Sequence, residues 1–448
     1  MTSFTGLTAI EAASAIAANK FTASEYIGGL CDVIAAADPK LQAFEYFDRA
    51  HALAQAEALS RRDPTSDYPL LGAAIGVKDI IDTKDMPTEN GTPLDKGRQP
   101  IKDADVVQRL RQAGAVIMGK TVTTELAFLT PSRTRNPHNL DHTPGGSSSG
   151  SAASVAAGMV PISLGTQTNG SVIRPASYNG LFALKPTNGL FSREGILEES
   201  ASYDTAGVFA RSLADVALAT EVLASPGDRA GPLRGRPHFL RSVQTPGSAQ
   251  PRIAFVKTAA WQLAEPAAQD AFTAVAKSLG SACEELQLPA GFDKAVEYHR
   301  TSMVAEIALN YSRYYERGKD RLSPMMQKTI EEGSRVTAVD YCNALRAREK
   351  LYARFEELLE PFDAVITPSA TGPAPKGHDS TGNPIFCTLW TFLRVPAINL
   401  PLLKIANMPL GIQLTGRRFS EAGLFQTAAW LTKALNGSNT VPVAAIQG

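Results

Sequence analysis

Residues 143–180 read TPGGSSSGSAASVAAGMVPISLGTQTNGSVIRPASYNG. Small and polar residues dominate, and the stretch divides into four local signals. A Gly/Ser loop (144–151) opens a helix-like run, AASVAAGM. A short strand over 161–164 follows and runs into a tight turn that holds Gly170, with Ser171 just beyond it. A hydroxyl so placed can be exposed beside several convergent backbone amides, the arrangement a nucleophile and oxyanion hole require. The Gly/Ser loop by itself fits either a phosphate cradle at a helix N-terminus or a plain loop with a serine cap.

Outward from this stretch the chain alternates helix and strand. ADVVQRLRQA (104–113) has helical spacing, and AVIMGK (115–120) reads as a strand. Upstream, LLGAAIGVKDIID (70–82) is a short apolar run with β-branched residues, predicting a buried strand or strand pair. Residues 1–62 read as helices, with capping boxes at Thr8/Glu11 and Thr22/Glu25. Downstream, 225–251 is a Pro/Gly-dense loop and IAFVK (253–257) restarts a strand. A long helical region then runs to about 360. DAVITPS (363–369) is a further strand, and 395–416 predicts two strands about a turn at Asn407. The pattern is that of an α/β protein.

Composition narrows the function. Of 448 residues 44% are hydrophobic and 20% charged, enough for a large core. Lys+Arg and Asp+Glu both number 44, so no basic excess points to nucleic acid or to an anionic membrane surface. The N-terminus lacks the basic and apolar regions of a signal peptide, and no uncharged run reaches membrane-spanning length. A cytoplasmic enzyme is expected. Cys31, Cys283, Cys342 and Cys387 form no CxxC pair and read as free thiols.

Two motifs fit by letter only. Residues 114–121, GAVIMGKT, match GxxxxGK[ST], yet a helix precedes the first glycine and AVIM belongs inside a strand. His138 and His142 have zinc-helix spacing, but prolines 137 and 144 bracket them and no Glu follows His138. Neither a nucleotide nor a metal is expected. A serine nucleophile still needs a base. Lys78, set in the apolar run, serves if burial lowers its pKa; a buried salt-bridge lysine fits the same placement.

The run GGSSSGSAASVAAGMVPISLGTQTNGSVIRPASYNGLFALKPTNG (145–189), with GVKD (76–79), resembles the amidase signature family of Ser–cis-Ser–Lys amidohydrolases. Segments 110–128, 202–219, 362–370 and 381–401 extend the likeness over much of the chain. The resemblance implies a large mixed, twisted sheet with helices on both faces, in one domain over 1–448. Its parts would be N-terminal helices (1–62), the catalytic core (63–224), a loop (225–251) and a C-terminal half (252–448) that completes the sheet and pocket.

It further implies Ser171 as nucleophile, Ser147 as the bridging serine after a cis bond, and Lys78 as base. The amides of Thr168, Asn169, Gly170 and Ser171 would form the oxyanion hole. The reaction implied is hydrolysis of a small-molecule amide with no cofactor, and a homodimer is the family-level expectation. Two departures stand out. Gln167-Thr-Asn-Gly replaces the usual Asp-x-Gly-Gly, and Arg174 lies one position late, a pattern similar to the malonamidase branch. Arg174 and Gln167 are therefore candidate substrate-binding residues. For Arg174, holding a substrate carboxylate and tying down a loop fit equally. Two other functions stay open: the glutaminase-like component of a tRNA-dependent amidotransferase, and a nucleotide-binding protein using 114–121. The substrate-selecting residues are expected within 295–345.

Overall fold

The computed structural model describes residues 4–60, 68–224, 238–245 and 250–446. One sheet takes strands from nearly the whole chain. In chain order these are β1 (Phe44–Phe47), β2 (Ala74–Lys78), β3 (Val116–Thr121), β4 (Ile162–Gln167), β5 (Phe182–Lys185), β6 (Thr205–Ala210), β7 (Ile253–Phe255), β8 (Cys283–Glu285), β9 (Ala364–Pro368), β10 (Ala397–Ile405) and β11 (Met408–Thr415). Their spatial order is β1-β3-β2-β4-β6-β5-β10-β11-β9-β7-β8. β3, β2 and β4 run parallel, as do β9, β7 and β8, while an antiparallel block joins the two groups. The mixed α/β sheet agrees with the sequence reading.

Alternation along the strands accounts for apolar layers on both faces. In β3, Val116 and Met118 join the cluster of Ile27 and Leu30, which the helix Ala23–Leu41 supplies. Ile117 between them joins Val106, Val107 and Leu110 from the helix Asp105–Gln112. A third cluster packs the long helix Ala295–Gly318 against Trp390, Phe392 and Phe355. Both predicted capping boxes are formed, with Glu11 and Glu25 accepting from the Thr8 and Thr22 amides.

Three readings need correction. Residues 1–62 are not all helical: β1 pairs antiparallel with β3, and of its four residues only Phe44 is buried. The "helical" stretch to 360 contains β8, a short polar strand at the sheet edge. The 225–251 loop holds a helix over Phe239–Gln244, with Phe239 against Phe425; residues 225–237 and 246–249 lie outside the described residues. Of the strand or strand pair expected over 70–82, one strand forms, β2.

Candidate active site

The site lies beyond the carboxyl ends of two adjacent parallel strands, where open sheets leave a crevice between crossovers. Lys78 is the last residue of β2, and Gln167 the last of β4. Their parallel pairing brings Lys78 beside Thr166. Ser147 comes from the Gly/Ser loop, just ahead of the helix Ser149–Ala156. That helix docks tightly because Gly150 has no side chain: a Cβ there would overlap the Ala43 carbonyl. The loop reaches Ser147 through Gly145, at φ 81°, a backbone conformation that glycine adopts freely. The Gly146–Ser147 peptide bond is cis.

Lys78 is fully buried. Its Nζ donates to Ser147 Oγ at 2.7 Å and to Thr166 Oγ1 at 2.8 Å. Burial pushes its pKa down to about 7, and the negative charge of the Glu199–Asp204 pair pulls part of that shift back. Asp79, its sequence neighbour, is not its partner. Asp79 lies 3.6 Å from the Lys120 ammonium and accepts the Glu89 amide at 3.1 Å. Lys120, the lysine of the P-loop pattern, sits inside β3, where it donates to Ile81 O at 2.7 Å and to Thr88 Oγ1. A buried strand lysine spent in this way offers nothing to a phosphate.

Beyond β4 the chain turns through residues 168–171 into the helix Ile173–Asn179. Among the described residues, the amides of Asn169, Gly170 and Ser171 donate to no acceptor within the protein. Ser171 is half-buried and lines a cavity of about 210 Å³ together with Asn169 and Thr168. The cavity's apolar wall is Phe128, Leu129, Val296, Met303, Pro384 and Ile385, and its polar lining includes Glu199, His299, Arg300 and Thr388.

The two residues expected to touch substrate are engaged elsewhere. Gln167 Oε1 accepts from the Val172 amide at 2.9 Å and the Ile173 amide at 3.0 Å, and Nε2 donates to Thr391 Oγ1 at 2.9 Å. It thus caps the short helix that follows the turn. Arg174 is buried, and it donates from Nε to Thr381 O at 2.8 Å and from Nη2 to Gly146 O at 2.7 Å. The guanidinium fastens the Gly/Ser loop to the segment around Thr381, as a loop tie would, and its Nη1 is buried without a hydrogen-bond partner. Neither residue lines the cavity that holds Ser171.

His138 lies in a turn and His142 on an isolated antiparallel bridge to Lys376, neither of them on a helix. The first donates from Nε2 to Asn179 O at 3.0 Å, the second from Nδ1 to Ala374 O at 2.7 Å. Of the expected pocket region 295–345, Val296, His299, Arg300 and Met303 line the cavity. Sequence reasoning missed Phe128, Leu129 and the residues from Asn383 to Ile385, which arrive from two distant loops. It also missed Glu199 and Asp204. Their only sequence signal was the acidic pair five residues apart ahead of β6.

Solved structures similar to this chain include amidases. A peptide amidase in complex with the competitive inhibitor chymostatin superposes with a TM-score of 0.86 at 27% identity, covering 97% of this chain and 98% of that one. Another amidase gives 0.83 at 28% identity over 95% and 99%. Among curated relatives, the A-type subunit of the glutamyl-tRNA(Gln) amidotransferase from Symbiobacterium thermophilum is 32% identical over 92% of this chain and 93% of its own length. The Amidase family model matches residues 25–425, and with it the chain belongs to the amidase signature family, hydrolases that act on carbon–nitrogen bonds.

Proposed function

We propose that this amidase hydrolyses a small, uncharged carboxamide through an acyl-enzyme on Ser171. The observation that carries the reading is the 2.7 Å contact between Lys78 Nζ and Ser147 Oγ, set behind the turn that bears Ser171. Neutral Lys78 takes the Ser147 proton, Ser147 takes that of Ser171, and Ser171 Oγ bonds to the amide carbon. The unpaired amides of Asn169, Gly170 and Ser171, with that of Thr168, receive the oxyanion. The C–N bond then breaks, and the proton held on Lys78 returns through Ser147 to the departing ammonia or amine. Water enters by the same relay and releases the carboxylic acid. No metal or cofactor takes part in these steps.

The cavity supports an uncharged substrate. His299 is held neutral, its pKa lowered by burial to about 4. Arg300 is taken by Glu332, at 3.0 Å and 2.5 Å. The remaining wall is largely apolar. Malonamate would need a cation facing the cavity; Arg174 does not line it, and its Nε and Nη2 are held by the Thr381 and Gly146 carbonyls while Nη1 has no hydrogen-bond partner.

A second reading is glutamine hydrolysis, which the 32% identity to the glutamyl-tRNA(Gln) amidotransferase relative favours. Ammonia release from hexanamide, benzamide, malonamate and glutamine separates the possibilities. Hexanamide and benzamide should be turned over far faster than glutamine. Turnover confined to glutamine would replace the first reading by the second.

A further inference from the structure

Behind the turn that carries Ser171 lies a buried chain of three oxygens. Thr168 Oγ1 is 2.9 Å from Glu199 Oε2 and 2.6 Å from Asp204 Oδ1, and all three side chains are buried. Two hydrogen bonds among three oxygens need two hydrogens, and the hydroxyl supplies only one. The carboxyl pair must carry the other. Asp204 Oδ2 accepts from the Glu199 amide at 2.8 Å and the Ser200 amide at 2.9 Å, contacts that favour its ionised form. The shared proton therefore belongs on Glu199. Burial and the neighbouring Asp204 charge push the Glu199 pKa well above the carboxylate range, in the same direction.

Thr168 is held from the other side too, since His299 Nε2 donates to its carbonyl at 2.9 Å. Glu306, on the same helix as His299, accepts from Ser200 Oγ and from the Ser202 amide at 3.0 Å, which anchors the loop bearing the acids. A void of about 20 Å³ is lined by Thr166, Thr168, Glu199 and Asp204 and so adjoins the Lys78 partner Thr166. The charged or titratable groups around it are Lys78 from β2, Arg193 and Glu198 from the loop before β6, and His299, Glu306 and Tyr311 from the helix Ala295–Gly318.

We propose that Glu199 is a carboxylic acid which donates through the Thr168 hydroxyl to an ionised Asp204, and that this chain positions the oxyanion turn while placing one negative charge beside Lys78. Glu199 and Asp204 are positioning residues, acting through Thr168 and Lys78. The pH effect rests on Lys78 being the base; the proton assignment does not.

Two measurements test it. Infrared difference spectra of the wild type and E199Q at neutral pH should show a carboxylic-acid carbonyl band that E199Q lacks. The kcat/KM pH profile of E199Q, whatever its rate, should keep the wild-type midpoint, because glutamine is neutral and still donates to Thr168. D204N should move that midpoint down by about one pH unit, since removal of a nearby opposite charge makes Lys78 easier to deprotonate. A purely structural role would lower rate or stability without this split. The absence of the band, a downward shift in E199Q, or an unmoved midpoint in folded D204N would each overturn the proposal. If D204N does not fold, or if no amide proves to be a substrate, the infrared comparison decides.

Discussion

Lys78 Nζ lies 2.7 Å from Ser147 Oγ and, among the described residues, has no carboxylate within ion-pair distance. A buried lysine with two hydroxyl partners and no paired charge is held close to its neutral form. That one relationship supports the proton-acceptor role proposed for Lys78 over a structural ion pair.

The pH dependence follows with a definite sign. The protonated lysine is inactive, so kcat/KM should rise as pH climbs through about 7. Two pH units below that midpoint, activity should be about a hundredfold lower. Lys78→Ala should cost roughly a thousandfold and abolish the limb. A rate profile for both proteins from pH 5 to 9 checks this; a Lys78→Ala profile with the wild-type limb would remove Lys78 as base.

Arg174→Met should destabilise the protein by about 2 kcal/mol or more, because the Gly146 and Thr381 carbonyls lose their buried donor. Urea denaturation measures the loss. The ratio of kcat/KM between malonamate and an uncharged amide should stay unchanged. A selective rise in KM for malonamate would instead give Arg174 the substrate carboxylate.

Gln167→Leu keeps the side chain's bulk but strips the acceptor from the Val172 and Ile173 amides. The turn that carries Ser171 then loses its fixed direction, and kcat should fall about tenfold to a hundredfold with KM nearly unchanged. Gln167→Glu retains the acceptor and should recover most of that loss. Steady-state kinetics on one amide compares the variants; an effect confined to KM would make Gln167 a substrate contact.

The legibility of the site followed local chemistry. The turn from β4 to Ser171 was readable because Asn169, Gly170 and Ser171, all turn-forming residues, interrupt the strand pattern at one point. β1 was not: FEYF buries one residue of four, so its pattern carries little sheet signal, and its pairing with β3 is long-range. Asp79 follows Lys78 in sequence, yet β2 has ended by then, and from the turn beyond it Asp79 meets Lys120 instead. The Glu199–Asp204 pair bears on Lys78 through its charge alone, from a loop more than a hundred residues later. No local pattern in a single sequence links them. Gln167 and Arg174 sit within the signature itself, but their contacts with Thr391 and Thr381 depend on the far end of the chain.

Dialysis against EDTA should leave activity unchanged. His138 and His142 each spend a ring nitrogen on a carbonyl, and the described residues hold no group of three metal-ligating side chains. An assay before and after dialysis checks this. Loss on dialysis with recovery on adding zinc would contradict it.

The central claim is that Ser171 forms the acyl-enzyme, and covalent labelling tests it most directly. Treatment with a fluorophosphonate, followed by peptide mass spectrometry, should place one adduct on Ser171. Ser171→Ala should abolish both the adduct and turnover while leaving the fold intact. An adduct on Ser147 or any other serine, or an unlabelled Ser171 in active enzyme, would contradict the account.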